Sequence, residues 1–229
     1  DPIITLSASS KTEIVERLGF SPDRVTVASP GIDPRFSVGG EKDPQPLVVA
    51  VGRLVPVKRF DWFIDAMAKL RADHPSLRAV VVGEGYERPS LEARIAAAGA
   101  EQWLTLPGRV SDEALVDLYR RAWLVVSTSA REGWGMTLTE AGACGTPSVA
   151  TRIAGHQDAL VDGVSGMLAD TMEDIAIAAS GLLADDELRA RLSLGALRVA
   201  KRFAWDETAL ATFGVLAAEA RLVQGRRQG

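Results

Sequence analysis

Two runs of residues carry types and spacings that could do chemistry. The first, Gly52-Arg53-Leu54-Val55-Pro56-Val57-Lys58, follows an apolar run and places an arginine and a lysine at the start of a helical pattern. Arginine offers a planar fork for phosphate oxygens, lysine a mobile point charge, and a nearby helix start adds positive potential. Together they could hold a polyphosphate; the plainer alternative is a pair of solvated charges. The second run is Glu132-Gly133-Trp134-Gly135-Met136-Thr137-Leu138-Thr139-Glu140, followed by Ala-Gly-Ala-Cys-Gly-Thr-Pro. Its glycines let backbone approach a ligand, and a helix starting near Thr137 would aim the amides of Met136, Thr137 and Leu138 at an anion. A diphosphate fits there. Glu132 lies before the turn and Glu140 about one helical turn inside, so two hydroxyl acceptors can flank the phosphate site. Paired hydroxyls on a ribose and a hexose are the ligands that suit them.

These loops need a scaffold. Apolar runs at Pro46 to Val51, Leu77 to Val82, Trp103 to Leu106, Trp123 to Ser127 and Pro147 to Thr151 read as strands. Helical spacing separates them, with Trp62, Phe63, Ala66, Met67 and Leu70 in one segment, Leu91, Ile95 and Ala98 in the next, and Leu115, Leu118 and Tyr119 in a third. Strands joined by helices must cross over and run parallel, and near-continuous apolar strands imply a sheet covered on both faces. The fold class is therefore α/β with a doubly wound parallel sheet, whose ligands bind at the carboxyl ends of the strands. Upstream, Ile3 to Leu6, Ser9 to Leu18 and Val25 to Ser29 read as strand, helix and strand, with Ser9 or Ser10 as helix cap. The Gly- and Pro-containing stretch Pro30 to Pro46 reads as a linker. A last helix, Asp206 to Val223, carries Leu210, Phe213, Leu216 and Leu222 and needs a partner; Gly225 to Gly229 is expected to fray.

Bulk properties narrow the field. A net charge of −4 without a basic stripe gives no reason to expect nucleic acid. The single cysteine, Cys144, excludes an intrachain disulfide and a cysteine-based zinc site, which makes the cytoplasm the default compartment. No apolar run approaches the roughly 18 to 20 residues that span a bilayer.

Other residues invite two readings each. His156 could contact substrate or serve a local hydrogen bond, and Glu84 between Gly83 and Gly85 could belong to a nucleotide loop or a tight turn. A nicotinamide fingerprint would need a third glycine. Cys144 sits among small residues as packing, and Trp134 could stack on a sugar or fill the core.

The pattern of Glu132, seven residues and Glu140, with the Ala-Gly-Ala-Cys-Gly-Thr-Pro that follows, resembles the signature of the large family of retaining glycosyltransferases with the two-Rossmann-domain (GT-B) fold. Gly52-Arg53-Leu54 with Lys58, Gly83-Glu84-Gly85, Gly108-Arg109-Val110, Ala154-Gly155-His156-Gln157-Asp158 and Asp162-Gly163-Val164-Ser165-Gly166 stand where that family has its motifs, over roughly Val25 to Trp205. The resemblance implies a Rossmann-like C-terminal half that binds a UDP-, GDP- or ADP-linked sugar. It assigns Gly52, Arg53, Lys58 and the amides of Thr137 and Leu138 to the diphosphate, and Glu140 to the ribose. Glu132 with Gly133, Trp134, Gly135 and Met136 would hold the transferred sugar, and Arg109 and Val110 would lie along the nucleobase. Glu132, Arg53 and Lys58 would be the catalytic set. It implies no cofactor, and no metal either, in keeping with the lack of an Asp-x-Asp motif.

By the same resemblance, residues 1–38 are the end of a preceding acceptor domain with its linker, 39–204 the nucleotide-sugar domain, and 205–229 a crossover helix and tail. The chain is then expected to be a donor-binding fragment of a retaining hexosyltransferase, inactive without its N-terminal domain. The acceptor would be a sugar, glycan or glycolipid, which allows a peripheral place at the inner face of a membrane for the full-length enzyme. The competing readings are a nucleotide-sugar epimerase of the same fold and a non-catalytic binding module.

Overall fold

The computed structural model describes residues 1–228, with side chains through Gln224. Among these residues there are two parallel sheets. The smaller pairs β1 (Ile3–Thr5) with β2 (Val25–Val27), joined by α1 (Ala8–Leu18). Ser7, not Ser9 or Ser10, caps α1: its side chain accepts from the Ser10 amide, and Gly19 closes the helix in the left-handed region at φ 71°.

The larger sheet holds β3 (Leu47–Val51), β4 (Arg78–Val82), β5 (Leu104–Gly108), β6 (Leu124–Ser127), β7 (Ser148–Thr151) and β8 (Gly166–Ala169). Their order is β5-β4-β3-β6-β7-β8, and every pair is parallel. The expected doubly wound sheet is therefore present. Strand β8 was not anticipated, because Gly-Met-Leu-Ala is too short a run to stand out from a glycine-containing turn. The crossovers are α2 (Phe60–Asp73), α3 (Arg88–Ala97), α4 (Asp112–Arg121), α5 (Met136–Ala143) and α6 (Ala154–Ala159), followed by α7 (Met172–Ala184) and α8 (Asp186–Ala200).

Strand alternation divides the core. Val48 and Ala50 of β3 and Leu124 and Val126 of β6 face Phe63, Ile64 and Met67 of α2 and Ile175 and Leu182 of α7. Leu47 and Val49 of β3 and Val125 of β6 face Tyr119 of α4 and Leu138 and Ala141 of α5. The linker is tied down rather than loose: Arg121 donates to Asp43 Oδ2 at 2.7 Å, and Lys42 Nζ donates to the Ala122 carbonyl and to Thr146 Oγ1. Helix α9 (Trp205–Gln228) begins one residue earlier than expected and runs on through the segment expected to fray, while Gly229 lies outside the described residues. Leu210, Phe213, Leu216 and Leu222 on α9 are exposed.

Strand order reverses between β3 and β6. The crevice at their carboxyl ends is the topological switch point, where ligands of open α/β sheets bind.

Candidate functional site

Both informative loops issue from this switch point. After β3, the Gly52 amide donates to the Val82 carbonyl and the Leu54 amide to the Glu84 carbonyl, each at 2.9 Å. The loop of Gly83-Glu84-Gly85 is thus the bed on which the arginine loop lies. Its glycines are required by closeness: a Cβ at Gly83 would sit 1.8 Å from the Gly52 carbonyl oxygen, and one at Gly85 2.1 Å from that of Leu54. Glu84 itself turns outward to a two-pronged ion pair with Arg88, which holds its carboxyl below the usual carboxylate range.

A tight turn over Pro56–Lys58 then delivers Lys58 to the site. Arg59 follows at φ 49°, the only non-glycine residue with positive φ among those described, and its guanidinium lies 4.5 Å from the Trp62 ring centre. The buried Thr128 hydroxyl lies 2.8 Å from both the Lys58 and Arg59 carbonyls and anchors this left-handed segment. The Ala130 amide donates to the Val57 carbonyl. Those bonds fasten the β3 loop to the β6 loop.

Their effect is to place Lys58 Nζ 2.5 Å from Glu132 Oε1, with Ser129 Oγ donating to the same oxygen at 2.6 Å. Gly155, at the start of α6, lets the Glu132 backbone come close: a Cβ there would lie 2.3 Å from the Glu132 carbonyl oxygen. Arg53 is exposed and has no ion-pair or hydrogen-bond partner among the described residues, so its fork is free for an anion.

Helix α5 opens at Met136 with Gly135 as its cap residue. The Met136 and Thr137 amides have no backbone acceptor among the described residues, whereas the Leu138 amide already donates to Gly135 O at 2.9 Å. The Leu138 amide is thereby paired, and the unpaired opening amides of α5 are those of Met136 and Thr137. Glu140 lies deeper in the helix, where the Tyr119 hydroxyl donates to its Oε2 at 3.2 Å. Burial raises the Glu140 pKa to about 7, against the lowering effect of that hydrogen bond. Arg109 is exposed and Val110 half-buried just after β5, ahead of Ser111, the N-cap of α4.

The plainer readings apply to several residues. The Trp134 side chain is buried edge-on against Phe203, with ring centres 5.1 Å apart, and its Nε1 has no partner among the described residues. Only its backbone lies with Gly133 and Gly135. His156 is buried, its Nδ1 donating to the Thr151 carbonyl at 2.8 Å and its Nε2 accepting from Ser127 Oγ. Burial lowers its pKa and keeps it neutral. Cys144 is a buried thiol pushed up to about 11 by burial.

Across the crevice, α1 forms a facing wall. Ser9 binds Asp158 of α6 through its amide and hydroxyl, and Arg131 approaches Glu13 at 3.8 Å. A cleft of about 520 Å³ lies between them, bounded by Ser9, Ser10 and Glu13 on one side and Arg131, Glu132 and Gly133 on the other. The sequence reading passed over Thr128 and Ser129, and took Tyr119 only as a helix core position and Gly155 only as part of a motif. The run Ser127-Thr128-Ser129 at a strand's carboxyl end was a usable signal for both Thr128 and Ser129.

A sequence model of the glycosyl transferases group 1 matches residues 32–198. The chain belongs to this family. Among its curated relatives are D-inositol 3-phosphate glycosyltransferases of Salinispora arenicola, 38% identical with 89% of this chain and 52% of the relative covered, and of Geodermatophilus obscurus, 34% identical with 91% and 50% covered. The chain thus spans about half the length of the curated relatives it matches. Among solved structures, HepE of Anabaena in complex with UDP and glucose superposes with a TM-score of 0.84 at 24% identity, covering 95% of this chain and 63% of that one. TarM of S. aureus, crystallised with UDP among other ligands, superposes with a TM-score of 0.85 at 21% identity, over 93% of this chain and 43% of TarM. These neighbours give the group 1 chain its fold, the Rossmann-like domain of the GT-B glycosyltransferases. No helix among the described residues is long and apolar enough to cross a membrane.

Proposed function

We propose that this chain is the donor-binding half of a glycosyltransferase that moves a hexose from a nucleotide-diphosphate sugar to an acceptor with retention of anomeric configuration. The observation that carries the reading is the convergence, at one switch point, of a free Arg53, Lys58, the opening amides of α5 and two carboxylates with different surroundings. Arg53, Lys58 and the Met136 and Thr137 amides face the diphosphate and stabilise the charge that develops as the nucleotide leaves. Fixed cations and backbone dipoles serve this purpose without a metal. Glu132 and the backbone from Gly133 to Met136 receive the hexose, Glu140 the ribose, and Arg109 with Val110 the base.

Catalysis then needs an acceptor half as well, because the reacting sugar must be shielded and aligned with its acceptor. The inositol phosphate glycosyltransferases among the relatives make a polyol phosphate the first acceptor to try, and the UDP held by the structural neighbours makes UDP the first nucleotide.

The test is calorimetric titration of the chain with UDP, GDP and ADP in EDTA, repeated with Arg53→Ala and Glu140→Ala. Saturable binding of one nucleotide, weakened at least tenfold by either change, is the expected result. Equal binding by the variants would reject the site, and binding only after addition of a divalent ion would reject the metal-free reading. Retention is tested on the protein with its acceptor half, by the anomeric NMR signal of the first product formed.

A further inference from the structure

Glu140, taken as the ribose carboxylate under the proposal above, is not a free surface group. Its carboxyl is largely enclosed, and Tyr119, fully buried on α4, donates its hydroxyl to Oε2 at 3.2 Å. The tyrosine is itself held at two points. Its carbonyl accepts from Thr146 Oγ1 at 2.6 Å, a hydroxyl that also receives Lys42 Nζ, and its ring packs at 54° on Phe36 of the linker, with centres 5.9 Å apart. The hydroxyl therefore has one place to point.

We infer that Tyr119 is a positioning residue for ribose recognition, whose hydroxyl fixes one oxygen of Glu140 and leaves the other for the nucleotide diol. An ionised carboxylate has about four lone-pair sites on two oxygens, so one donor on Oε2 sets the plane of the group without blocking Oε1. A hydrogen bond to the charged form also favours ionisation in a place where burial opposes it. Among the described residues no cation does this: the charged groups facing Glu140 are Asp112 at the start of α4 and Asp33 of the linker, both of which raise its pKa, with the neutral Cys144 beyond its own helix end. The Tyr119 hydrogen bond works against burial and lowers the Glu140 pKa. The same helix starts just after Arg109 and Val110, so base and ribose contacts share one rigid support.

The experiment reads Glu140 directly and does not depend on a nucleotide. The side-chain carboxyl carbon of Glu140, assigned with Glu140→Gln, is followed by NMR against pH in the wild-type chain, in Tyr119→Phe and in chain labelled with 3-fluorotyrosine. The wild-type midpoint is expected near 7. Loss of the hydroxyl should raise it by about one pH unit, and the more acidic fluorinated phenol, a stronger donor, should lower it. The label enters only Tyr86, which is exposed, and Tyr119, and it preserves the ring packing should Tyr119→Phe fold poorly. Unchanged midpoints in folded chain would overturn the inference, because a merely structural tyrosine leaves the carboxyl titration alone. Titration of UDP, GDP and ADP at pH 6.5 and 9 then separates this from the donor-site reading. Tyr119→Phe should weaken binding about fivefold to tenfold at the lower pH and less than twofold at the higher. Midpoints that shift as expected while no nucleotide binds would retain the Tyr119–Glu140 coupling and reject its use for ribose.

Discussion

Lys58 Nζ lies 2.5 Å from Glu132 Oε1, so the cation proposed for the diphosphate and the carboxylate proposed for the sugar hold each other. Ser129 also binds that oxygen, which leaves Glu132 a partner when Lys58 turns to phosphate. A diphosphate and Glu132 compete for one ammonium group. Glu132→Gln should therefore bind UDP as tightly as wild type or up to about tenfold more tightly, while the extra affinity of UDP-glucose over UDP disappears. Lys58→Ala should weaken both by roughly tenfold, the value of a charge-assisted bond to phosphate. Calorimetry of the two ligands on the two variants decides; parallel losses in both variants would show that the pair acts as a structural unit only.

Gly155 offers a test of placement without touching charge. A Cβ there would meet the Glu132 carbonyl oxygen at 2.3 Å, whereas one at Gly181, inside α7, would meet nothing within 4 Å. Gly155→Ala should cost about 1–3 kcal/mol of stability by overpacking, and it should displace Glu132 so that UDP-glucose loses affinity relative to UDP. Gly181→Ala should leave binding untouched and stabilise by roughly 0.4–1 kcal/mol. Denaturant unfolding and calorimetry on the two variants provide the check, and equal sugar affinity in both would mean that Glu132 is not held from this side.

Arg53 and Glu132 were legible as loop residues at the crevice because each stands beside a glycine after a strand, and Lys58 and Glu140 were reached only by their spacing from these. Their partners were not. Thr128 reaches the Lys58 carbonyl across 70 positions and Tyr119 reaches Glu140 across 21, contacts set by strand order rather than spacing. The pairing of the Leu138 amide is local: the first turn of α5 tightens onto Gly135, which an ideal helix start does not reveal. Trp134 between two glycines looked available to a sugar, yet only its packing on Phe203, well down the chain, shows which way the ring turns. The main sheet followed from apolar runs and crossover lengths; β8 escaped because its burial comes from β7 and α7 rather than from its own composition.

Glu140 links binding to pH. Its ordinary value of 4.5 is raised to about 7 by burial, so the folded chain holds this proton more strongly than the unfolded one. The sign follows: the stabilising contribution of this group is complete below about pH 4.5 and is lost as pH rises through 7. Nucleotide binding should run the opposite way, since the ribose diol needs the carboxylate as acceptor. Affinity for UDP should fall by up to about tenfold per pH unit below 7 and level off above 8, with close to one proton released per nucleotide bound near pH 6. Titrations in buffers of different ionisation enthalpy measure that proton, and Glu140→Gln should abolish both the release and the pH dependence. Proton release that persists in Glu140→Gln would place the titrating group elsewhere.

The small sheet should open long before the large one. β1 and β2 share three residue pairs and carry exposed Ile4 and Leu6 beside them, whereas Leu47 to Ala50 of β3 are covered on both faces. A two-stranded sheet is marginal in water by itself, and the apolar side chains of α9 that could cover it, Leu210, Phe213 and Leu216, are themselves exposed. Amides of Thr26 and Val27 should therefore exchange through local opening at a small fraction of the global unfolding free energy, while those of Val48 to Ala50 exchange only on global unfolding. If a further half of the protein packs on this face, hydrogen exchange on a chain that includes it should show β2 and α9 slowed by at least tenfold with β3 unchanged. Protection of β2 equal to that of β3 in the chain alone would mean that the small sheet completes its own core and needs no such half.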